Sequence, residues 1–336
     1  MTNQEELAKR LSEGSIGLTS SLIEQGLRNA RLRGLVLGQL EKRLVAQTIA
    51  DAGMQPRQVV NDQIDMERAL LASIERGLDR NRIGPAFTKR LLKTLLTNWI
   101  LRPDELRRIE QSFAESHEAP RPPVTMVVSP TKACNLHCVG CYASSGMETP
   151  ERLEWKVFDR ILTEAKTLWG MRFFTISGGE PLAYRSQGQD LLDAATKHDD
   201  CFFMMYTNGT LIDERMAGRM AEAGNLIPAI SIEGMETATD QRRGTGVFER
   251  VLQAMANLRQ AGVPFGISLT ATRHNAEEIL SDPFIDFFFE EQQAVFGWIF
   301  QYMPIGRGYT LDLVVTPEQR LQMWRRTWQI IRERKI

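Results

Sequence analysis

Six times between residues 124 and 336 a short β-rich run is followed by an amphipathic helical stretch, and this alternation constrains the fold more than any other feature. VTMVVS (124–129) leads, after a loop, to LEWKVFDRILTEAKTLW (153–169), with Thr149 as N-cap and Pro150 as first helical residue. RFFTIS (172–177) precedes a helix near 188–197, CFFMMY (201–206) precedes IDERMAGRMAEAG, and LIPAISI (226–232) precedes FERVLQAMANLRQAG. PFGISLTA (264–271) precedes a helix from about Asn275. VFGWIFQYM (295–303) precedes TPEQRLQMWRRTWQIIRER, opened by a T-x-x-Q capping box at Thr316 and Gln319. Near-continuous apolar strands alternating with helices predict a parallel sheet covered by helices. Six units suit either a doubly wound sheet or an incomplete barrel, and in both the ligand sites lie at the C-terminal ends of the strands.

The first 118 residues have a different grammar. LIEQGLRNARLRGLVLGQLEKRLVAQTI, IDMERALLASIERGLD and FTKRLLKTLLTNWIL place apolar residues at spacings of three and four, with breaks at Gly53, Pro56, Gly84 and Pro85. An all-α N-terminal region over 1–118, for interaction or substrate presentation, is therefore expected before an α/β unit over 119–336. The proline-rich ESHEAPRPPV (115–124) marks the boundary. The stretch 88–102 has a basic edge on an apolar body, which suits contact with a membrane surface or packing within the helical region.

Bulk properties exclude several classes. A net charge of −1 gives no footprint for a nucleic acid. Apolar residues at 43% and charged residues at 25% are a globular composition, and no apolar run is long enough to span a bilayer. The polar start MTNQEELAKR has no secretory apolar core, so a reducing, cytoplasmic setting is expected. In that setting clustered cysteines point to metal or redox work rather than disulfides.

Three of the four cysteines fall in PTKACNLHCVGCY (130–142), about five residues after the first strand. Cys134, Cys138 and Cys141 can hold three corners of a [4Fe–4S] cluster, leaving one iron open. Zinc is the competing reading, with His137 as a fourth ligand. At the end of the second strand, Ser177-Gly178-Gly179-Glu180-Pro181 combines two glycines, which let backbone approach a ligand, with a carboxylate suited to an ammonium group.

CNLHCVGC, ISGGEP, TNGTL (207–211), SIEGMETATDQRRGTGVF (231–248) and PIGRG (304–308), in this order at successive strand ends, resemble the radical S-adenosylmethionine (SAM) enzymes. The resemblance spans about 124–310 and implies a partial (β/α)6 TIM-like barrel. It implies a [4Fe–4S] cluster on Cys134, Cys138 and Cys141, with SAM chelating the open iron. It assigns cofactor contacts to Gly178, Gly179, Glu180 and Pro181, the first three to the methionine ammonium. Ser231 and Arg243 would orient the SAM carboxylate or ribose, Asn208 would line the same pocket, and Met303 to Gly306 would pass near the adenine. An external electron donor of flavodoxin or ferredoxin type would reduce the cluster. A 5′-deoxyadenosyl radical would then take hydrogen from an unidentified small molecule, lipid or peptide. The sequence departs from the family pattern at Gly140, where an aromatic is common, and at Glu233, where aspartate is usual and to which no role is assigned. No cysteines for auxiliary clusters follow, so the chain either needs none or is a fragment of a longer one. A non-catalytic zinc or iron–sulfur protein is the alternative.

Other residues have plainer readings. Cys201 reads as a small buried hydrophobe. His274 and Asn275 end the fifth strand and suit either ligand contact or helix capping. Tyr142 and Tyr184 read as packing or pocket residues, and Trp298, Phe300 and Tyr302 as core or pocket floor.

Overall fold

Four-to-seven-residue runs of aromatic and branched residues form the strands, because both faces of each run find apolar cover. A computed structural model of the chain describes residues 30–80, 82–95, 103–119, 121–149 and 151–336. The strands are β1 (Thr125–Val128), β2 (Phe173–Ile176), β3 (Phe202–Thr207), β4 (Leu226–Ile232), β5 (Gly266–Ala271) and β6 (Gly297–Gln301). All five neighbouring pairs are parallel and the spatial order is the chain order, β1 to β6. A doubly wound sheet reverses its order at a switch point. This one never reverses, so successive right-handed crossovers carry it round into a half-barrel with helices outside. Residues alternate along each strand between the outer helical layer and the barrel interior.

The helices before the sheet are α1 (Ala30–Asp51), α2 (Arg57–Asp79), α3 (Pro85–Leu95) and α4 (Pro103–Ser116). Those between and after the strands are α5 (Trp155–Trp169), α6 (Leu191–Lys197), α7 (Glu214–Ala223), α8 (Glu236–Arg243), α9 (Val247–Ala261), α10 (Asp282–Ile285) and α11 (Pro317–Gln329). Thr316 and Gln319 make the expected capping box. The helix expected from Thr149 starts instead after Glu154. Thr149 Oγ1 donates to the Lys132 carbonyl at 3.0 Å and so braces the preceding loop. The helix expected from Asn275 is a single turn at Glu278–Leu280, followed by α10 and a wider turn at Asp286–Glu291. Helix α8 was not foreseen, because ETATDQRR has almost no apolar face.

The N-terminal helices pack under the barrel. Leu37 of α1 packs on Leu71 of α2 in a small cluster of its own. Ser73 of α2 donates to the Val295 carbonyl just before β6. Gly84 N–H donates to the Gly262 carbonyl at 2.7 Å, and Phe87 of α3 meets Phe202 edge-on at 5.3 Å. These contacts lie at the N-terminal ends of the strands, opposite the expected ligand end. The 88–102 stretch lies partly outside the described residues. Of its described part, Thr88 is buried and Arg90 pairs with Asp199, so these two face the barrel. Among the described residues no helix is long and apolar enough to cross a membrane.

Candidate functional site

The loop between β1 and α5 is held over the C-terminal end of the barrel by its neighbours. Gly179 N–H donates to the Thr131 carbonyl and Glu180 N–H to the Ala133 carbonyl, each at 2.8 Å. Val139 N–H reaches the Arg242 carbonyl at 2.9 Å, and Arg307 N–H reaches the Cys141 carbonyl at 3.0 Å. Asn135 bonds Thr210 at 2.8 Å. The cysteine loop is therefore anchored from the ends of β2, β3, β4 and β6. All four cysteines are free thiols. Cys134 is buried, and burial pushes its thiol up to about 11. Asn208 Nδ2 lies 3.8 Å from its sulfur and 2.8 Å from Asn135 Oδ1.

Gly178 and Gly179 owe their identity first to this loop. A Cβ on Gly178 would lie 2.4 Å from the Thr131 oxygen, and one on Gly179 would lie 2.2 Å from the Ala133 oxygen. The close approach expected toward a ligand is an approach to the cysteine loop itself. Both glycines still line the cavity, and their carbonyls accept no hydrogen bond among the described residues. Glu180 is placed differently from the expectation. Its side chain is fully buried, and its carboxylate accepts from Leu182 N–H at 3.0 Å, Thr207 Oγ1 at 2.8 Å and Asn208 N–H at 2.8 Å. Burial raises its pKa against those three donors. Neither Glu180 nor Pro181 lines the cavity. Glu180 locks the end of β2 to the end of β3, and Pro181 opens a buried turn.

Ser231 and Ser268, side by side on β4 and β5, share a hydroxyl hydrogen bond of 3.0 Å at the cavity wall. Arg243 ends α8 and donates from Nε and Nη2 to Glu233 Oε1 at 2.9 and 2.5 Å, while Arg242 reaches the same oxygen at 2.5 Å. Burial works against the Arg243 charge, but Glu233 and the neighbouring Cys138 outweigh it and raise its pKa. Glu233 is 1% exposed, and its Oε2 has no partner among the described residues. The sequence assigns no role to Glu233, Arg242, Asn135 or Ser268. The buried pairing of Glu233 with the double arginine was the findable signal, since two adjacent cations in an α/β crossover need an anion if they turn inward.

One cavity of about 1180 Å³ is lined by Cys134, Cys138 and Cys141 together with Gly178, Gly179, Asn208, Ser231 and Arg243. Tyr142, Trp298, Phe300, Tyr302 and Met303 also face it. Gly306 instead packs on the backbone of Cys141 and Tyr142, where a Cβ would lie 2.3 Å from the Cys141 oxygen. Tyr184 is buried and donates to the Leu153 carbonyl. Asn275 ties β4 to β5 through the carbonyls of Glu233 and Thr270. Neither it nor His274 reaches the cavity. Cys201 is buried outside the cavity, with its thiol pushed up to about 12 by burial.

The donors favour a cysteine-held group over Cys3His zinc. His137 is 59% exposed and turned to Glu148, 3.4 Å away, outside the cavity lining. Among the described residues no three His, Cys, Asp or Glu side chains converge on a single-ion site. Three thiols on one wall, with a buried guanidinium and an amide beside them, fit a polynuclear iron–sulfur group whose charge such neighbours offset.

Comparison with known proteins agrees. Residues 128–281 match the sequence model of the radical SAM superfamily. The mycofactocin maturase MftC of Mycolicibacterium smegmatis is 31% identical over 65% of this chain and 54% of its own length. The AdoMet-dependent heme synthase of Methanosarcina barkeri is 32% identical over 61% of this chain and 58% of its own. The chain thus spans little more than half the length of these relatives. Among solved structures, SuiB of Streptococcus suis bound to S-adenosylmethionine shares the fold, with a TM-score of 0.54 at 20% identity. That match covers 74% of this chain and 54% of SuiB.

Proposed function

We propose that this chain, whose residues 128–281 match the sequence model of the radical SAM superfamily, is a radical SAM enzyme whose cluster is held by Cys134, Cys138 and Cys141. The observation that carries the reading is the convergence of these thiols with Gly178, Gly179, Asn208, Ser231 and Arg243 on one cavity. When bound, cluster and SAM supply a reductively generated 5′-deoxyadenosyl radical able to take hydrogen from an unactivated carbon.

The chain's own part is binding, orientation and exclusion of water. Gly178 and Gly179 line the cavity, and their carbonyls, which accept no hydrogen bond among the described residues, suit an ammonium group; the Glu180 carboxylate expected there is held by Leu182, Thr207 and Asn208. Arg243, held by Glu233, and the Ser231 hydroxyl present a cation and a donor to a carboxylate or ribose. Asn208 fixes the Cys134 thiol through its amide. Trp298 and Phe300 of β6 give the space beside them an aromatic wall. A flavodoxin- or ferredoxin-type electron donor and a cytoplasmic setting belong to the same reading. The two relatives are named for different products, so likeness alone does not carry a substrate over.

The test is made on anaerobically reconstituted protein. Iron and sulfide at about four each per chain are expected, with a SAM-dependent change in the reduced-cluster EPR signal and formation of 5′-deoxyadenosine. Cys138→Ala should lose the cluster and Cys201→Ala should keep it. Zinc without sulfide, or a cluster indifferent to SAM, overturns the proposal.

A further inference from the structure

Below the cysteines and glycines the cavity continues down the barrel to the N-terminal ends of the strands. Thr125, Phe173 and Phe202 line it at the strand starts, and one step up the barrel interior Val127, Thr175, Met204 and Ile227 stand side by side across β1 to β4. Phe296 covers Gly266, where a Cβ would lie 2.3 Å from its ring. The floor is supplied by Leu70 and Ile74 of α2, with Ile83 and Phe87 beyond it. The whole cavity, about 1180 Å³, exceeds the roughly 300–1,000 Å³ usual for a single bound small molecule. Among the described lining residues, charge is confined to Arg242 and Arg243 at the upper end, both joined to Glu233.

A charged group in the lower chamber would meet no counter-charge among the described lining residues. A peptide backbone would leave most of its N–H and C=O groups without partners there. A hydrocarbon surface has neither difficulty and gains from leaving water. Neutral polar groups there include the hydroxyls of Thr125 and Thr175; above them, next to the C-terminal end of β3, the Tyr206 hydroxyl has no hydrogen-bond partner among the described residues, and its ring meets Phe300 edge-on at 5.2 Å.

We propose that this lower chamber, floored by α2 and α3, takes the body of the substrate, and that the substrate is an uncharged, largely apolar small molecule. The assignment rests on the reading of the upper end as a SAM site. The N-terminal helices are then part of the substrate pocket rather than a separate presenting arm.

Titration calorimetry on the reconstituted protein with a head-group series on one alkyl chain, dodecanol against dodecyl phosphate, tests this, with SAM titrated in the same preparation. Dodecanol should bind at one molecule per chain, about tenfold or more tighter than dodecyl phosphate, because the phosphate finds no counter-charge in the chamber. Ile227→Trp on β4 and Ile74→Trp on α2 should each weaken dodecanol about tenfold by filling the chamber, with SAM affinity unchanged. Equal affinity for the two head groups, or no dodecanol binding beside normal SAM binding, overturns the inference. Dodecanol binding that survives in both variants, each folded by circular dichroism, also overturns it. If a variant fails to fold, the head-group comparison on the unaltered chain still decides. Failure of SAM to bind while dodecanol binds as expected would count against the proposed function and not against the chamber.

Discussion

Gly179 shows at the scale of one residue how closely the two halves of the site are fitted. Its missing Cβ is replaced by the carbonyl oxygens of Lys132 and Ala133, at 2.6 and 2.2 Å from where that carbon would stand. Both are backbone atoms, so no side chain can swing aside to make room. Gly179→Ala must therefore push the cysteine loop away from β2 and strain the Thr131 and Ala133 hydrogen bonds. The expected result is a folded protein destabilised by about 1–3 kcal/mol, with SAM affinity and cluster loading both reduced. Thermal unfolding, iron content and SAM titration would check it. Unchanged SAM affinity and iron content would mean that the glycine pair does not couple the loop to the pocket. The same residue shows a limit of sequence reading. A glycine pair at a strand end announces close approach, but not whether the thing approached is a ligand or another loop.

At the scale of elements, Asp190 joins two helices. Its carboxylate caps α6 through Leu192 N–H at 2.9 Å and takes a two-pronged contact from Arg219 of α7, at 2.7 and 3.0 Å. Burial opposes its ionisation, yet the Arg219 hydrogen bonds outweigh it and hold the carboxyl below its ordinary range. A depressed folded-state pKa gives stability that is present above the unfolded value, about 3.9, and is lost as pH falls through the folded one. Asp190→Asn should therefore cost about 1.5–3 kcal/mol at neutral pH. The gap between variant and parent should close in acid below about pH 4. Denaturant unfolding of both proteins across pH 2.5–7 (an approximate window set by the carboxylate pKa) measures this, and a pH-independent gap would refute the assigned charge.

Elements were also the most legible level. The six strands, their helices and the Thr316–Gln319 box follow from periodicity and capping, because burial on both faces leaves a continuous apolar run in each strand. Choosing the half-barrel over the doubly wound sheet needed the resemblance, since strand order is not written in any local pattern. Helix α8 stayed hidden because it is polar and is fixed by what its last residues, Arg242 and Arg243, reach. The cysteines, glycines, Asn208, Ser231 and Arg243 were all legible and share one cavity. The partners of Glu180 were not legible, because a carboxylate beside two glycines looks the same in sequence whether it faces the pocket or the neighbouring strand.

Over the whole molecule, the boundary expected near residue 119 separates two kinds of sequence whose residues line one cavity. Leu70, Ile74 and Phe87 from the helical region line the interior of the barrel that the later residues build. Phe87 is 2% exposed and Phe202, its edge-on partner, 5%. The Gly262 carbonyl would lose the Gly84 N–H that it accepts at 2.7 Å, and the Val295 carbonyl would lose the Ser73 hydroxyl. The surface pairs of Arg332 with Asp62 and Asp65 would add little, since exposed ion pairs contribute about 0–1 kcal/mol each. The apolar contacts decide. Losing the Phe87 side chain alone is worth about 3–5 kcal/mol. At about 2–4 °C per kcal/mol for a domain of this size, a fragment of residues 119–336 should melt about 10 °C or more below the full chain. It should also expose the open lower end of its barrel and associate through it. Melting curves and light scattering on the two proteins, prepared side by side, give the answer. A monomeric fragment that melts with the full chain would show the N-terminal helices to be an appendage, and the floor they supply to the cavity would then have no structural cost to its removal.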